Sequence, residues 1–168
     1  MRAALPASMI IAMTLLAACG QPQEPASAPA FDSAAAPAAG PATPDPETQA
    51  LLASLPAPYN TADVENGQRK FALCRSCHTI TDGGANMTGP NLHGVFGRKA
   101  GSVEDFRYSE PVKTAGFVWD ADHLNNWLTD PRGFLPGNRM SFLGVKDPKD
   151  RIDLIGYLMV ETGHKPGG

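Results

Sequence analysis

Three stretches of the chain place apolar residues at helical spacing, with start and stop signals at their ends. In the first, Val64, Gly67 and Phe71 share one face, Thr61 is placed to cap it, and the pattern runs on into Cys74. In the second, Asp120 precedes Leu124, Trp127 and Leu128, and Pro131 stands just past the end. The third has Asp147 as cap, Pro148 at the first position and a stripe of Ile152, Ile155, Leu158 and Met159, and it stops at Gly163. The first and last helices are expected to cross at Gly67, where the missing side chain admits a close approach. The stretches between are Gly-rich and show no period-two alternation, so the predicted fold class is all-α. Asp45 and Pro46 offer a weaker start signal for a short helix through Leu51, Leu52 and Leu55.

Composition divides the 168 residues. Residues 20–58 contain 9 Pro and 12 Ala with Phe31 as their only aromatic, too little bulky apolar surface to offset the entropy of ordering a chain. The reading is therefore a leader over 1–18, a flexible linker over 19–58 and one compact domain over 59–168. That domain holds both Trp, all three Tyr and six of the seven Phe.

The net charge of −3 falls outside the domain, where Arg2 faces Glu24, Asp32, Asp45 and Glu47; the domain itself is formally neutral. A basic stripe interleaved with aromatics is missing, which argues against nucleic acid as a partner. The apolar run from Met9 to Ala18 has the length of a signal-peptide core, so export is expected. Leu16-Ala17-Ala18-Cys19 resembles the lipobox of bacterial lipoproteins, which would make Cys19 a lipid-attachment residue and anchor the protein to a membrane. The other reading is ordinary cleavage after Ala28, which would release a soluble protein.

The remaining two cysteines lie in Cys74-Arg75-Ser76-Cys77-His78, the C-x-x-C-H attachment signature of c-type haem. Residues three apart share a face of a helical turn, so both thiols can form thioethers while His78 projects toward the iron. A redox dithiol or half of a zinc site are the competing readings. No second C-x-x-C completes a zinc site, and no βαβ pattern surrounds the motif. A single His leaves the sixth iron position open. Three methionines lie beyond the leader: Met87 is close after His78, Met159 reads as helix core, and Met140 lies in the turn-rich Pro136–Phe142 segment. From spacing alone Met140 is either a ligand or a gap-filling core residue.

The run Thr88-Gly89-Pro90-Asn91-Leu92-His93-Gly94-Val95-Phe96-Gly97-Arg98-Lys99, then Tyr108, Trp119 and Pro136–Met140, closely resembles class I cytochrome c of the mitochondrial type in order and spacing. The resemblance covers residues 63–163. It implies the class I cytochrome c fold around one covalently bound haem c, with His78 and Met140 as the iron ligands. It further implies that the Pro90 carbonyl receives a hydrogen bond from the His78 ring. Arg98, Tyr108, Trp119 and Asn138 match positions that donate to the haem propionates. His93, His123 and His164 are taken as solvent-facing or loop residues. Two positions depart from the family pattern: Trp127 stands where mitochondrial relatives carry a Tyr near the Met sulfur, and Val112 replaces an Asn.

The function so implied is a single-electron carrier rather than an enzyme, because two protein ligands leave iron no vacant position. A soft Met sulfur favours Fe(II) and raises the potential relative to two His ligands. Such a potential suits passage from a cytochrome bc-type complex to a terminal oxidase at the periplasmic face of a bacterial membrane. Alternatives are an electron donor to a dedicated periplasmic reductase, or a haem peroxidase or gas-binding protein with an open sixth site. The expected partners are membrane-bound redox complexes, and the domain is expected to be monomeric. Mitochondrial relatives dock through a lysine-rich haem edge. Here Arg75, Arg132, Arg139, Lys146 and Lys149 are diluted by Asp147 and Asp150, so electrostatic steering should be moderate. In such relatives a loop lysine displaces the Met at alkaline pH, yet no lysine lies between Pro131 and Val145 of this chain.

Overall fold

A computed structural model describes residues 44–164; the leader, Cys19 and the chain up to residue 43 lie outside the described residues. The helices are α1 (Pro46–Ser54), α2 (Val64–Phe71), α3 (Glu110–Lys113), α4 (Ala121–Thr129), α5 (Pro131–Phe134) and α6 (Pro148–Glu161), with a 3₁₀ turn at Tyr59–Thr61. A lone antiparallel bridge joins Lys99 to Val118, and among the described residues there is no extended sheet. Among the described residues no helix is long and apolar enough to cross a membrane.

The caps follow the acidic residues. Asp120 and Asp147 accept from the backbone N–H groups of His123 and Asp150, as their positions predict. For α2 the cap is Asp63, which accepts from Asn66 N at 2.9 Å, and not Thr61. The Thr61 hydroxyl is spent inside the preceding 3₁₀ turn, donating to the Pro58 carbonyl at 2.8 Å.

The expected boundary at residue 59 is also corrected. Asp45 accepts from Glu47 N and Thr48 N and starts α1, with Pro46 in its first turn. Leu52 and Leu55 are then buried in the main core, and α1 packs on α6 and the 3₁₀ turn. Two well-spaced leucines suffice to fold this end of the Pro/Ala-rich stretch onto the domain, which average composition hides. The compact unit thus includes residues 44–58.

The most extensive helix contact is between α2 and α6. Gly67 sits in it: a Cβ there would overlap the Asp153 carbonyl and lie 2.5 Å from Tyr157 Cβ. Phe71 meets Tyr157 with ring centroids 5.7 Å apart. Around this crossing the Asp153 carboxylate, almost fully buried, accepts from Asp63 N (2.8 Å), Asn66 Nδ2 (2.8 Å) and Lys149 Nζ. A carboxylate can be held there because each oxygen has a donor. The apolar stripe of α6 is sealed, with Leu154 and Ile155 wholly inaccessible.

Candidate functional site

The α-helix that leads to the cysteines ends at Phe71 instead of running through them, and the chain continues in hydrogen-bonded turns. Cys74 N donates to Phe71 O (2.8 Å), Cys77 N to Cys74 O (2.9 Å) and His78 N to Cys74 O (3.0 Å). These overlapping turns still put Cys74, Cys77 and His78 on one side, facing a cavity of about 760 Å³. That volume lies within the roughly 300–1,000 Å³ typical of cofactor sites.

His78 is held from two directions. Its Nδ1 lies 2.7 Å from the Pro90 carbonyl, and because a carbonyl only accepts, Nδ1 carries the proton and Nε2 the free lone pair. Gly89 leaves room for the ring, since a Cβ at that position would collide with the imidazole. Burial pushes the His78 pKa down, with the Arg98 charge acting the same way against the Pro90 hydrogen bond, so the ring stays neutral and able to ligate a metal. Burial also pushes the Cys74 thiol up to about 11, with the neighbouring Cys77 adding to it.

All nine residues expected to bind the group line this single cavity: Cys74, Cys77, His78, Pro90, Arg98, Tyr108, Trp119, Asn138 and Met140. The three methionines separate by place. Met159 is buried in α6, while Met87, 48% exposed, borders the cavity from the same loop as Gly89 and Pro90, on the His78 side. Met140 is half-buried and comes from the other side of the sequence, on the loop after α5.

Arg98 donates from Nη1 to His93 O and from Nη2 to Asn91 O, both at 3.0 Å, so its guanidinium also pins the loop that carries Pro90. Tyr108 is pushed above its ordinary pKa by burial and therefore remains a hydroxyl donor at neutral pH. Trp119 is buried edge-on between Phe117 (4.8 Å) and Trp127 (5.6 Å). Asn138 departs from expectation. Its Nδ2 donates to the Pro131 and Leu135 carbonyls, which leaves it serving the backbone of its own loop and not a propionate.

The three other histidines do not line the cavity, and each is partly exposed, His93 and His164 outside the helices and His123 on α4. His123 lies on α4, stacked on Phe117 at 4.3 Å, with Nδ1 2.8 Å from the Asp120 carboxylate. His164 packs on Phe96 at 5.2 Å, and His93 keeps a buried Nδ1. Val112 and Trp127, the two positions that depart from the family pattern, both line the cavity.

The apolar spacing of Leu124, Leu128 and Leu158 predicts only core positions and does not single out Leu154, whereas all four also border the cavity. Their helical stripe was visible, but a stripe facing a cofactor looks the same as one facing another helix. The cavity fits a large flat group with an apolar body. Two thiols and an imidazole approach it from one chain segment, a thioether sulfur comes from another, and Arg98 and Tyr108 offer polar donors.

A family model described as "Cytochrome c" matches residues 64–160. The chain belongs to the cytochrome c family. Cytochrome c of Stellaria longipes is 43% identical over 105 residues, which is 62% of this chain and 97% of that protein. Cytochrome c of Arabidopsis thaliana is 45% identical over 101 residues, 60% of this chain and 90% of the relative. Cytochrome c2 of Rhodoplanes tepidamans is 43% identical over 96 residues, 57% and 90% respectively. As a class I c-type cytochrome this protein is an electron carrier with one covalently bound haem c and the all-α fold described above. The α1 segment precedes the residues matched by the family model.

Proposed function

We propose that this cytochrome carries single electrons from a cytochrome bc-type complex to a terminal oxidase at the periplasmic face of a bacterial membrane. In this reading Cys74 and Cys77 hold the haem through thioethers, and His78 Nε2 and the Met140 sulfur ligate the iron. The observation that carries it is the convergence of His78 and Met140, from distant segments, on one apolar-walled cavity. The haem supplies the reversible Fe(II)/Fe(III) change. The chain's own residues fix the ligands, keep bulk water off the iron and hold charged edges with Arg98 and Tyr108.

Partner docking is only moderately electrostatic in this reading. Lys70 is paired with Asp150 (2.7 Å) and Lys113 with Glu110 (3.0 Å), while Lys146 donates to the Thr129 carbonyl and Lys149 to Asp153. Among the described residues, exposed Arg75, Arg107 and Arg132 are left without an acidic partner near the site, and Arg107 borders the cavity itself. A lipid on Cys19 makes up for weak steering by confinement. A chain the length of residues 20–43 has a root-mean-square span of roughly 27 Å as a coil and roughly 75 Å when extended.

The test uses membranes with and without the protein, supplied with quinol and offered either oxygen or anaerobic acceptors. Loss of oxygen uptake alone, restored by adding the protein, supports the proposal; loss of a reductase activity alone refutes it. Cys19→Ala should release the protein from membranes and slow oxygen uptake. In the purified protein, Met140→Ala should abolish the near-red Met-to-iron band and admit carbon monoxide. A wild type that binds carbon monoxide readily would overturn the ligand assignment.

A further inference from the structure

Asn138 commits its whole side-chain amide to the loop that carries Met140. Nδ2 donates to Pro131 O at 2.7 Å and to Leu135 O at 2.8 Å, and Oδ1 accepts from Met140 N at 2.9 Å. Its backbone N–H donates to Leu135 O at 3.1 Å as well. One planar group thus ties the start of α5, the residue after α5 and the amide of Met140 together.

Few side chains can do this. The site needs two donated hydrogens and one accepted bond from a single short side chain. A Ser or Thr hydroxyl has one hydrogen, a carboxylate has none, and Gln carries the amide one methylene too far. The preceding Gly137, at φ +82°, makes the turn that brings the Asn138 amide back over α5, a conformation Gly adopts without strain.

We infer that Asn138 is the positioning residue for Met140: it sets the loop so that the sulfur points into the cavity, and it limits the population in which the sulfur has left. This rests on the reading of Met140 as the second iron ligand. It replaces the propionate-donor role implied by family resemblance, because both hydrogens of the amide are already committed.

When an intrinsic ligand must leave before an external one can bind, the apparent affinity of the external ligand scales with the fraction of molecules in the open state. Imidazole binding to the oxidised, haem-loaded full-length protein therefore reads that fraction. Asn138→Ala removes all three side-chain bonds. Asn138→Asp keeps an acceptor for Met140 N but sets a carboxylate against two carbonyls. Leu52→Ala, in α1 and away from the cavity, serves as a variant of lowered global stability with the loop intact.

Asn138→Ala should weaken the near-red band, tighten imidazole binding about tenfold or more and speed hydrogen exchange at the Met140 amide by a similar factor, the scale of losing one or two hydrogen bonds. Asn138→Asp should tighten imidazole binding too, while its Met140 amide stays slower to exchange than in Asn138→Ala. Leu52→Ala should lower the urea midpoint and leave imidazole affinity within about twofold of wild type. If Asn138→Ala and Asn138→Asp bind imidazole no more tightly than Leu52→Ala, Asn138 is a structural residue only and the inference falls. A wild type lacking the near-red band and binding imidazole as tightly as Met140→Ala would instead overturn the ligand reading, and this inference with it.

Discussion

Gly67→Ala sets two effects of opposite sign against each other, and the structure decides between them. Inside a helix, Ala is favoured over Gly by about 1 kcal/mol, so propensity alone makes the variant more stable. Gly67, however, faces α6 at the α2–α6 crossing. A Cβ there would lie 2.8 Å from the Asp153 carbonyl carbon and 2.5 Å from Tyr157 Cβ, where carbon atoms normally rest about 3.5–4.0 Å apart. Two of the atoms it meets are backbone, which no rotamer change can move. Relief therefore requires separating the helices by about 1 Å, across an interface that also holds the buried Asp153 bonds to Asp63 N and Asn66.

Overpacking of this kind costs typically 1–3 kcal/mol, and weakening a buried carboxylate's hydrogen bonds adds about 1–3 kcal/mol more. Net of propensity, the variant should be about 1–5 kcal/mol less stable. That corresponds to a fall in Tm of roughly 3–30 °C, at about 3–6 °C per kcal/mol for a domain of intermediate size. Urea unfolding of the haem-loaded protein, followed by far-ultraviolet circular dichroism, measures it directly. An Ala variant as stable as wild type, or more stable, would show that α2 and α6 do not cross at Gly67. Because α2 delivers Cys74, Cys77 and His78 to the cavity, it would also undercut the account of how the site is assembled.

Gly89→Ala should drive the His78 ring out of its place and break the bond to the Pro90 carbonyl; a shifted midpoint potential is the expected result, and an unchanged potential and spectrum would refute the packing seen there. Burial raises the pKa values of Tyr59, Tyr108 and Tyr157, so the folded state holds these protons more tightly than the unfolded chain does. Their contribution to stability is fully present below pH 10 and is lost as pH rises through 10 toward the folded values; Tyr108→Phe should flatten part of that decline in urea titrations. The near-red band should survive to higher pH than in relatives with a lysine in the Met loop, since arginine stays protonated far above pH 10 and Lys146 is held on the Thr129 carbonyl. Arg139→Lys should lower the pH at which the band is lost, and an unchanged midpoint would show that ligand supply does not set the transition.

Much of the fold was legible because its signals are local. Asp120, Asp147 and Pro148 mark helix starts by chemistry that acts within one turn, and the structure uses each as predicted. Asp63 and Thr61 are both competent caps two residues apart, and only the 3₁₀ turn at Tyr59–Thr61, which occupies the Thr61 hydroxyl, separates them. The misassigned stretch before Tyr59 has a different cause. Composition averages over a window, so a segment rich in Pro and Ala reads as linker even when Leu52 and Leu55 are spaced to reach a core formed by α6, about a hundred residues away in sequence.

The site shows the same division. Cys74, Cys77 and His78 can be read from spacing because one helical turn enforces their geometry. Met140 cannot, because nothing local distinguishes a methionine aimed into a cavity from one filling a core. Asn138 marks the limit most clearly. Its residue type and position allow either a donor to a bound group or a clamp on its own loop, and the choice depends on whether the Pro131 and Leu135 carbonyls lie within reach. α5 decides it: four residues of helix turn both carbonyls toward one amide. The side chain that family resemblance directs to the cofactor thereby commits its amide to the backbone of the loop that carries Met140.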